Sequence, residues 1–181
     1  MRHEIIIAGF GGQGVLSMGK ILAYAALFEN KEVTWMPSYG PEQRGGTANV
    51  TVIISDEPVS SPILSEYDIA VVLNQPSLDK FESHIKPGGI LIYDSYGISV
   101  PPARKDIKVF RIGAMEAVTT MENAKIYNMI VLGGLLQACP LVDYDDVMHA
   151  LRKTLPLRHH NLIPQNEAAL KKGCEVLYPV Q

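Results

Sequence analysis

A glycine-rich segment between a strand and a helix is the feature that most limits how this chain can fold. Residues 9–14 read Gly-Phe-Gly-Gly-Gln-Gly, directly after apolar residues 4–8 and before apolar positions at helical spacing over residues 15–28. Such a segment allows a tight turn from a buried parallel strand into a crossover helix, and it lets backbone approach a ligand closely. The sequence therefore predicts a strand–glycine loop–helix unit here.

The rest of the chain continues the alternation of strands and helices and then becomes helical. An exposed face on the strand at residues 47–55 is typical of an antiparallel neighbour. Alternating strands and helices predict one Rossmann-like domain over residues 1–181, with a doubly wound, mainly parallel sheet, helices on both faces and a helical C-terminal third. The further predicted strands are 32–36, 47–55, 68–73, 89–94 and 107–112, and the further predicted helices are 76–85, 114–125, 128–139, 144–155 and 164–177.

Two details of the helical third carry structural predictions. Gly133 and Gly134 lie inside a predicted helix, where each glycine costs about 1 kcal/mol relative to alanine. That cost indicates close packing of this helix against a neighbouring backbone. Asp143 precedes another helix and is predicted to be its N-cap, with Asp145 and Asp146 favoured in the first turn by the helix dipole.

The glycine loop leaves three interpretations open. Its residues Gly9, Gly11, Gly12, Gln13 and Gly14 fit the dinucleotide-binding pattern, and free amides at the helix start could hold an anion. A dinucleotide site also needs an acidic residue at the end of the second strand, where this chain has tryptophan, methionine, proline and serine. The alternatives are therefore an NAD(P) site, another anion or phosphate site, and a tight turn without a ligand.

The loop at residues 36–46 has an unusual combination of prolines, glycines, an aromatic, an acid and a guanidinium. It follows the second strand and should lie beside the glycine loop at one edge of the sheet. Arg44 could bind a phosphate or carboxylate with two hydrogen bonds. It could equally pair with Glu42 or form an ion pair across a subunit interface.

Composition excludes several functions. The net charge is −3, which gives nucleic-acid binding no electrostatic support. No apolar run reaches the roughly 18 residues of a membrane span, and the first residues lack the pattern of a signal peptide, so a cytoplasmic protein is expected. Cys139 and Cys174 are the only cysteines, too few for an iron–sulfur cluster and not spaced for zinc, and no metal site is predicted.

Two segments together resemble a known family. Gly-Phe-Gly-Gly-Gln-Gly-Val at residues 9–15 and Pro-Ser-Tyr-Gly-Pro-Glu-Gln-Arg-Gly-Gly-Thr-Ala at residues 37–48 resemble the gamma subunit of the 2-oxoacid:ferredoxin oxidoreductases. Asn128, followed by Gly133 and Gly134, fits the same pattern. The resemblance covers nearly the whole chain, roughly residues 3–178. Among family members, the 2-oxoglutarate enzymes look most similar, with pyruvate, 2-oxoisovalerate and indolepyruvate enzymes as alternatives.

The resemblance implies a non-catalytic subunit. Such enzymes decarboxylate a 2-oxoacid oxidatively on thiamine diphosphate and Mg²⁺, pass electrons through [4Fe-4S] clusters to ferredoxin, and form an acyl-CoA. Thiamine diphosphate belongs to the alpha and beta subunits and the clusters to a ferredoxin-like subunit or segment. The gamma subunit is associated with coenzyme A. No activity is expected of the isolated chain, which could form a homodimer. The alternative is a stand-alone NAD(P)-binding oxidoreductase.

The resemblance also suggests a role for the two loops. The glycine-loop amides and Arg44 would help to hold the anionic part of coenzyme A, or the interface with the alpha and beta subunits near it. Tyr39, Glu42, Gln43 and Arg44 are the residues expected at that interface.

Overall fold

A computed structural model describes residues 1–40, 46–121 and 123–180 of the chain. The described residues form seven strands and six helices of seven residues or more. The strands are β1 (Arg2–Phe10), β2 (Glu32–Tyr39), β3 (Thr47–Ser55), β4 (Tyr67–Val72), β5 (Ile85–Asp94), β6 (Lys108–Ile112) and β7 (Leu177–Pro179). The helices are α1 (Val15–Phe28), α2 (Gln75–Phe81), α3 (Ala114–Met121), α4 (Tyr127–Ala138), α5 (Tyr144–Thr154) and α6 (Ile163–Glu175).

All seven strands belong to one sheet with the order β2-β3-β1-β4-β5-β6-β7. The neighbours β1, β4, β5 and β6 are parallel. Strand β3 is antiparallel to both β1 and β2, and β7 is antiparallel to β6. Five strands therefore run in one direction, which confirms the mainly parallel Rossmann-like sheet.

The central strand β1 is buried on both faces. Ile5 and Ile7 join the larger core with α1 and α4, whereas Ile6 and Ala8 join a second core with Leu78 of α2. Helices thus cover both sides of the sheet. This burial explains the unbroken apolar run in the sequence, because a strand that faces water on one side would alternate apolar and polar residues.

Strand β2 is longer than the sequence predicts. The predicted loop begins at residue 36, but Pro37, Ser38 and Tyr39 pair with β3 at Val50, Asn49 and Ala48. The reason is that β2 is an edge strand of the sheet, where a proline without an amide hydrogen can be tolerated. The loop prediction for these three residues was wrong.

The helical third confirms four predicted helices within a few residues at their ends. Gly133 and Gly134 do lie in a helix that packs closely on another, with Gly133 of α4 against Leu170 of α6. Asp143 occupies the N-cap position of α5, but its side chain forms no capping hydrogen bond. Its own amide instead donates to Glu29 at the end of α1, over 2.6 Å.

Strand β7 has no counterpart among the predicted strands. It has three residues and adds to the sheet through Tyr178, which pairs with Arg111 of β6. Three residues that include a proline are too few to show a strand periodicity. Among the described residues, no helix has both the length and the apolar character needed to cross a bilayer.

Candidate functional site

The glycine loop makes a tight connection between β1 and α1. Gln13 donates its backbone N–H to the Phe10 carbonyl over 3.2 Å, and the first helical bond runs from Met18 N–H to the Gly14 carbonyl over 3.0 Å. The backbone amides of residues 15–17 come before that first bond and so have no partner within the helix. The first turn has no acidic residue and no capping side chain. Those amides and the helix dipole give this end of α1 a partial positive charge.

Two glycines in the loop adopt backbone conformations that favour glycine. Gly12 has a φ of 97° and Gly14, the N-cap of α1, a φ of 75°. A side chain at Gly12 would meet nothing within 4 Å, whereas a Cβ at Gly14 would lie 2.7 Å from the side chain of Asn128. Gly12 therefore presents open backbone to solvent, and Gly14 allows α4 to approach the loop.

The Gln13 side chain stabilises the loop from within. Its Oε1 accepts the backbone N–H of Phe10 over 2.6 Å. The same oxygen would be 2.5 Å from a Cβ at Gly9, so that glycine makes room for the folded side chain. A cavity opens beside this loop, and neither Gly9 nor Gln13 lines it.

The glycine loop and the described ends of the second loop meet at the carboxyl end of β1. Strand β3 lies between β1 and β2, so that Phe10 pairs with Thr47, and Tyr39 pairs with Ala48. The Gly11 amide donates to the Gly46 carbonyl over 2.9 Å. The predicted proximity of the two loops is thereby confirmed.

A cavity of about 300 Å³, here called the loop cavity, opens between these segments. Its described lining contains no acidic or basic side chain, so its polarity comes from backbone amides and the hydroxyls of Ser17, Tyr39 and Thr47. Glu32 lies at the opposite end of β2, and none of the described residues that line this cavity carries the carboxylate that a dinucleotide ribose requires. The lining residues are Phe10, Gly11, Gly12, Gly14, Val15, Leu16, Ser17, Tyr39, Gly46, Thr47 and Ala48.

Helix α4 is fixed beside the loop at its first two residues. Tyr127 donates its hydroxyl to Asp94, at the end of β5, over 2.7 Å, and Asn128 packs against Gly14. Burial raises the pKa of the Asp94 carboxyl, and the hydrogen bond from Tyr127 opposes that rise. Burial and the neighbouring carboxyl raise the pKa of Tyr127, so the phenol keeps its proton and donates it.

The structure brings only part of the predicted site together. Gly11, Gly12, Gly14 and Tyr39 line the loop cavity, and the Tyr39 side chain is largely exposed. Glu42, Gln43 and Arg44 lie outside the described residues. The other lining residues, which include Phe10, Ser17 and Thr47, were not predicted to belong to the site. For Phe10 and Thr47, the available signal was a position next to a glycine.

The chain's own thiols do not suit an iron–sulfur cluster. Cys139 is half-buried and Cys174 is exposed, both are free, and a cluster needs four such ligands. Burial raises the pKa of both thiols, which disfavours the thiolate that binds metal. Glu29, Asp143 and Asp146 bring carboxylate oxygens within 4.8 Å of one another, but Glu29 already accepts the Asp143 amide.

Comparisons of sequence identify the relatives of this chain. The family model for pyruvate ferredoxin/flavodoxin oxidoreductase matches residues 4–176. Ketoisovalerate oxidoreductase subunit VorA of Methanothermobacter thermautotrophicus is 40% identical over 174 residues, which are 95% of this chain and 36% of VorA. The chain thus spans about a third of that relative's length. 2-Oxoglutarate synthase subunit KorC of Methanocaldococcus jannaschii is 35% identical, with 97% of this chain and 94% of KorC covered.

Solved structures share the fold. A keto/oxoacid ferredoxin oxidoreductase gamma subunit from Geobacter sulfurreducens superposes with a TM-score of 0.83 and 29% identity, covering 97% of this chain and 96% of that one. A 2-oxoglutarate:ferredoxin oxidoreductase from Magnetococcus marinus, with 2-oxoglutarate, coenzyme A and succinyl-CoA bound, gives a TM-score of 0.87 at 23% identity. The match covers 97% of this chain and 31% of the Magnetococcus marinus chain. At 23% identity it shows a shared fold alone.

Proposed function

Because the chain belongs to the pyruvate ferredoxin/flavodoxin oxidoreductase family, we propose that it works as the gamma subunit of a coenzyme A-dependent 2-oxoacid:ferredoxin oxidoreductase. The complex would decarboxylate a 2-oxoacid oxidatively, form an acyl-CoA and reduce ferredoxin. The observation that carries the proposal is the family match over residues 4–176. The gamma subunit from Geobacter sulfurreducens supports it, since the two chains align along nearly their full lengths.

Partner chains carry the reactive groups in this proposal. Thiamine diphosphate and Mg²⁺ belong to alpha and beta subunits, and [4Fe-4S] clusters to a ferredoxin-like subunit that passes electrons to ferredoxin. Two cysteines in this chain support that division, because they cannot ligate a cluster alone. The isolated chain is therefore expected to be inactive. The assembled enzyme would work in the cytoplasm.

The loop cavity gives this subunit a role toward coenzyme A. Its amides at the start of α1 suit a phosphate group, and Gly12 lets such a group approach the backbone. Arg44 would add a guanidinium that binds phosphate with two hydrogen bonds. Tyr39, exposed at the rim, would contact the ligand or the neighbouring subunits, together with Glu42 and Gln43.

Two 2-oxoacids are the first candidates for the substrate. The match to KorC of Methanocaldococcus jannaschii over 97% of this chain favours 2-oxoglutarate. The higher identity to VorA, at 40%, favours 2-oxoisovalerate as the second candidate. The relatives give no support to a stand-alone NAD(P)-dependent enzyme, and the missing acid at the end of β2 agrees with them.

Subunit omission tests the proposed role. The chain is purified with its partners by native affinity capture, the partners are identified by mass spectrometry, and ferredoxin reduction is measured with 2-oxoglutarate and 2-oxoisovalerate. We expect two larger chains and iron to co-purify with this chain. We also expect ferredoxin reduction to be lost when this chain is omitted. Turnover by the isolated chain, or NAD(P) binding with micromolar affinity, would contradict the proposal. Gel filtration of the isolated chain tests for the predicted homodimer.

A single substitution tests the contact with coenzyme A. Arg44→Ala in the assembled enzyme should raise the KM for coenzyme A about tenfold, as expected for the loss of a hydrogen bond to a charged group. Arg152→Ala, which removes an exposed guanidinium from α5, is the control and should leave that KM unchanged. An unchanged KM in Arg44→Ala, with assembly intact, would rule out a ligand role for Arg44.

A further inference from the structure

A second cavity, of about 410 Å³, lies on the side of α1 next to the loop cavity. Its walls come from α1, the short helical segment Ala124–Ile126, the first turn of α4, the end of α5, the helical segment Leu157–Leu162 and the start of α6. We call it the lysine cavity, after Lys20 and Lys125 in its lining. Ser17 lines both cavities, so the two adjoin along the first turn of α1.

The floor of the lysine cavity is apolar. Ile21, Ile126, Met129 and Leu151 line it, and each side chain is at most 4% exposed. An apolar floor of this kind suits the planar or aliphatic body of a small molecule, and the cavity volume is within the usual range for ligand sites.

The rim of the cavity is polar and positively charged. Lys20 and Lys125 are exposed, and neither forms an ion pair with a described residue. In contrast, Lys31, Lys86 and Lys171 each pair with a carboxylate. The described lining contains no acid. Two ammonium groups around one cavity, with no counter-ion in the described part of the chain, indicate a site for an anion.

Neutral hydrogen-bonding groups complete the rim. The side-chain amide of Asn128 forms no hydrogen bond with a described residue, although it packs against Gly14. His159 accepts a hydrogen bond from Arg158 over 3.2 Å, so a guanidinium lies beside this lining residue. Amides and imidazoles can bind the hydroxyl and ester oxygens of a phosphorylated molecule.

We propose that the lysine cavity binds a phosphate ester with an apolar or planar body, with its phosphate between Lys20 and Lys125. A nucleotide has this chemistry. The phosphate ester could be a free nucleotide or the nucleotide end of coenzyme A reaching past Ser17 from the loop cavity. Only the second source rests on the proposed function.

Binding to the chain itself tests the site. Titration calorimetry with AMP, adenosine and inorganic phosphate should show AMP binding more tightly than either fragment, with an affinity that falls as salt is raised. Lys20→Gln/Lys125→Gln should weaken AMP binding by about tenfold or more, because charge-assisted bonds to phosphate are lost. The control Lys80→Gln/Lys108→Gln removes the same charge from exposed positions outside the cavity and should leave binding unchanged.

Three results would overturn the site: no AMP binding at millimolar concentration, adenosine binding as tightly as AMP, or equal losses in the two double variants. All of these lysines are exposed, so each variant should fold.

Binding of coenzyme A and dephospho-coenzyme A then shows whether the ligand is a free nucleotide or the nucleotide end of coenzyme A. If coenzyme A is the ligand, Lys20→Gln/Lys125→Gln weakens its binding and the loss shrinks for the dephospho form, which lacks one phosphate. If a free nucleotide is the ligand, AMP loses affinity in that variant while coenzyme A binding stays the same. Either result supports the site, and neither depends on turnover by the assembled enzyme.

Discussion

Two groups of glycines in this chain have different structural roles. At the α4–α6 crossing, a Cβ on Gly133 would lie 1.9 Å from the Leu170 carbonyl oxygen, and one on Gly173 would lie 2.0 Å from that of Ile130. In the glycine loop, a Cβ on Gly12 would meet nothing within 4 Å, but its φ of 97° is a conformation that other residues rarely adopt. The crossing uses glycine for space and the loop uses it for backbone conformation and open access.

The largest effect is expected at the crossing. Gly133→Ala should lower the free energy of unfolding by about 3 kcal/mol or more, since the clash is with backbone that cannot move aside. This loss exceeds the gain of about 1 kcal/mol from better helix propensity. Urea denaturation measures the change.

Gly134→Ala is the control for that substitution. Its Cβ would meet Cδ1 of Ile112 at 2.4 Å, the tip of a side chain that can rotate. The net change should be about 1 kcal/mol or less, because strain and helix propensity oppose each other. Equal losses of unfolding free energy in Gly133→Ala and Gly134→Ala would show that contact with backbone does not determine the size of the effect.

An intermediate effect is expected at Gly14, where both reasons apply. Gly14→Ala should destabilise by about 2 kcal/mol, through its positive φ and its contact with Asn128. Adding Asn128→Gly, which removes the Asn128 Cβ 2.7 Å away as well as the amide group, should restore the part that comes from the contact. A double-mutant cycle from thermal unfolding measures the coupling between positions 14 and 128. Additive losses of stability would show that contact with Asn128 does not contribute to the effect at Gly14.

A smaller effect on stability is expected at Gly12. Gly12→Ala should cost about 1 kcal/mol from backbone strain alone. Gly88→Ala should cost a similar amount, because Gly88 has a φ of 77° and a Cβ added there would meet no atom within 4 Å. Only Gly12→Ala should raise the KM for coenzyme A in the assembled enzyme. The same rise in KM in both variants would contradict a role for the loop cavity in binding coenzyme A.

The smallest effect concerns the ionisable contact that fixes the loop end of α4. Because burial raises the pKa of Asp94, its contribution to stability is fully present below the ordinary carboxyl pKa of 3.8 and is lost as pH rises through the higher folded-state pKa. Asp94→Asn lacks this titration. As pH rises from acid to neutral, thermal unfolding should therefore show the stability of Asp94→Asn increasing relative to that of the unmodified chain. A stability difference that stays constant with pH would contradict a raised pKa at Asp94.

Local patterns were enough to predict much of the fold. The apolar run before the glycine loop predicted a doubly buried strand, and the order of strands and helices predicted a mainly parallel sheet. Sequence could not show that β3 separates β1 from β2, because strand order depends on pairing between residues far apart in the chain. It also could not reveal the lysine cavity, since Lys20 of α1 and Lys125, just before α4, are far apart in the chain and line one cavity only in the folded structure.

The central place of β1 has a consequence for how the chain emerges during synthesis. Its two neighbours are β3 and β4, so β1 lacks a complete set of partners until residue 72 has been made. At about 5–20 residues per second, the ribosome needs several seconds to add the residues between β1 and the end of β4. Throughout that time, a nascent segment with three consecutive isoleucines has at least one unpaired edge, which can pair with a strand of another chain.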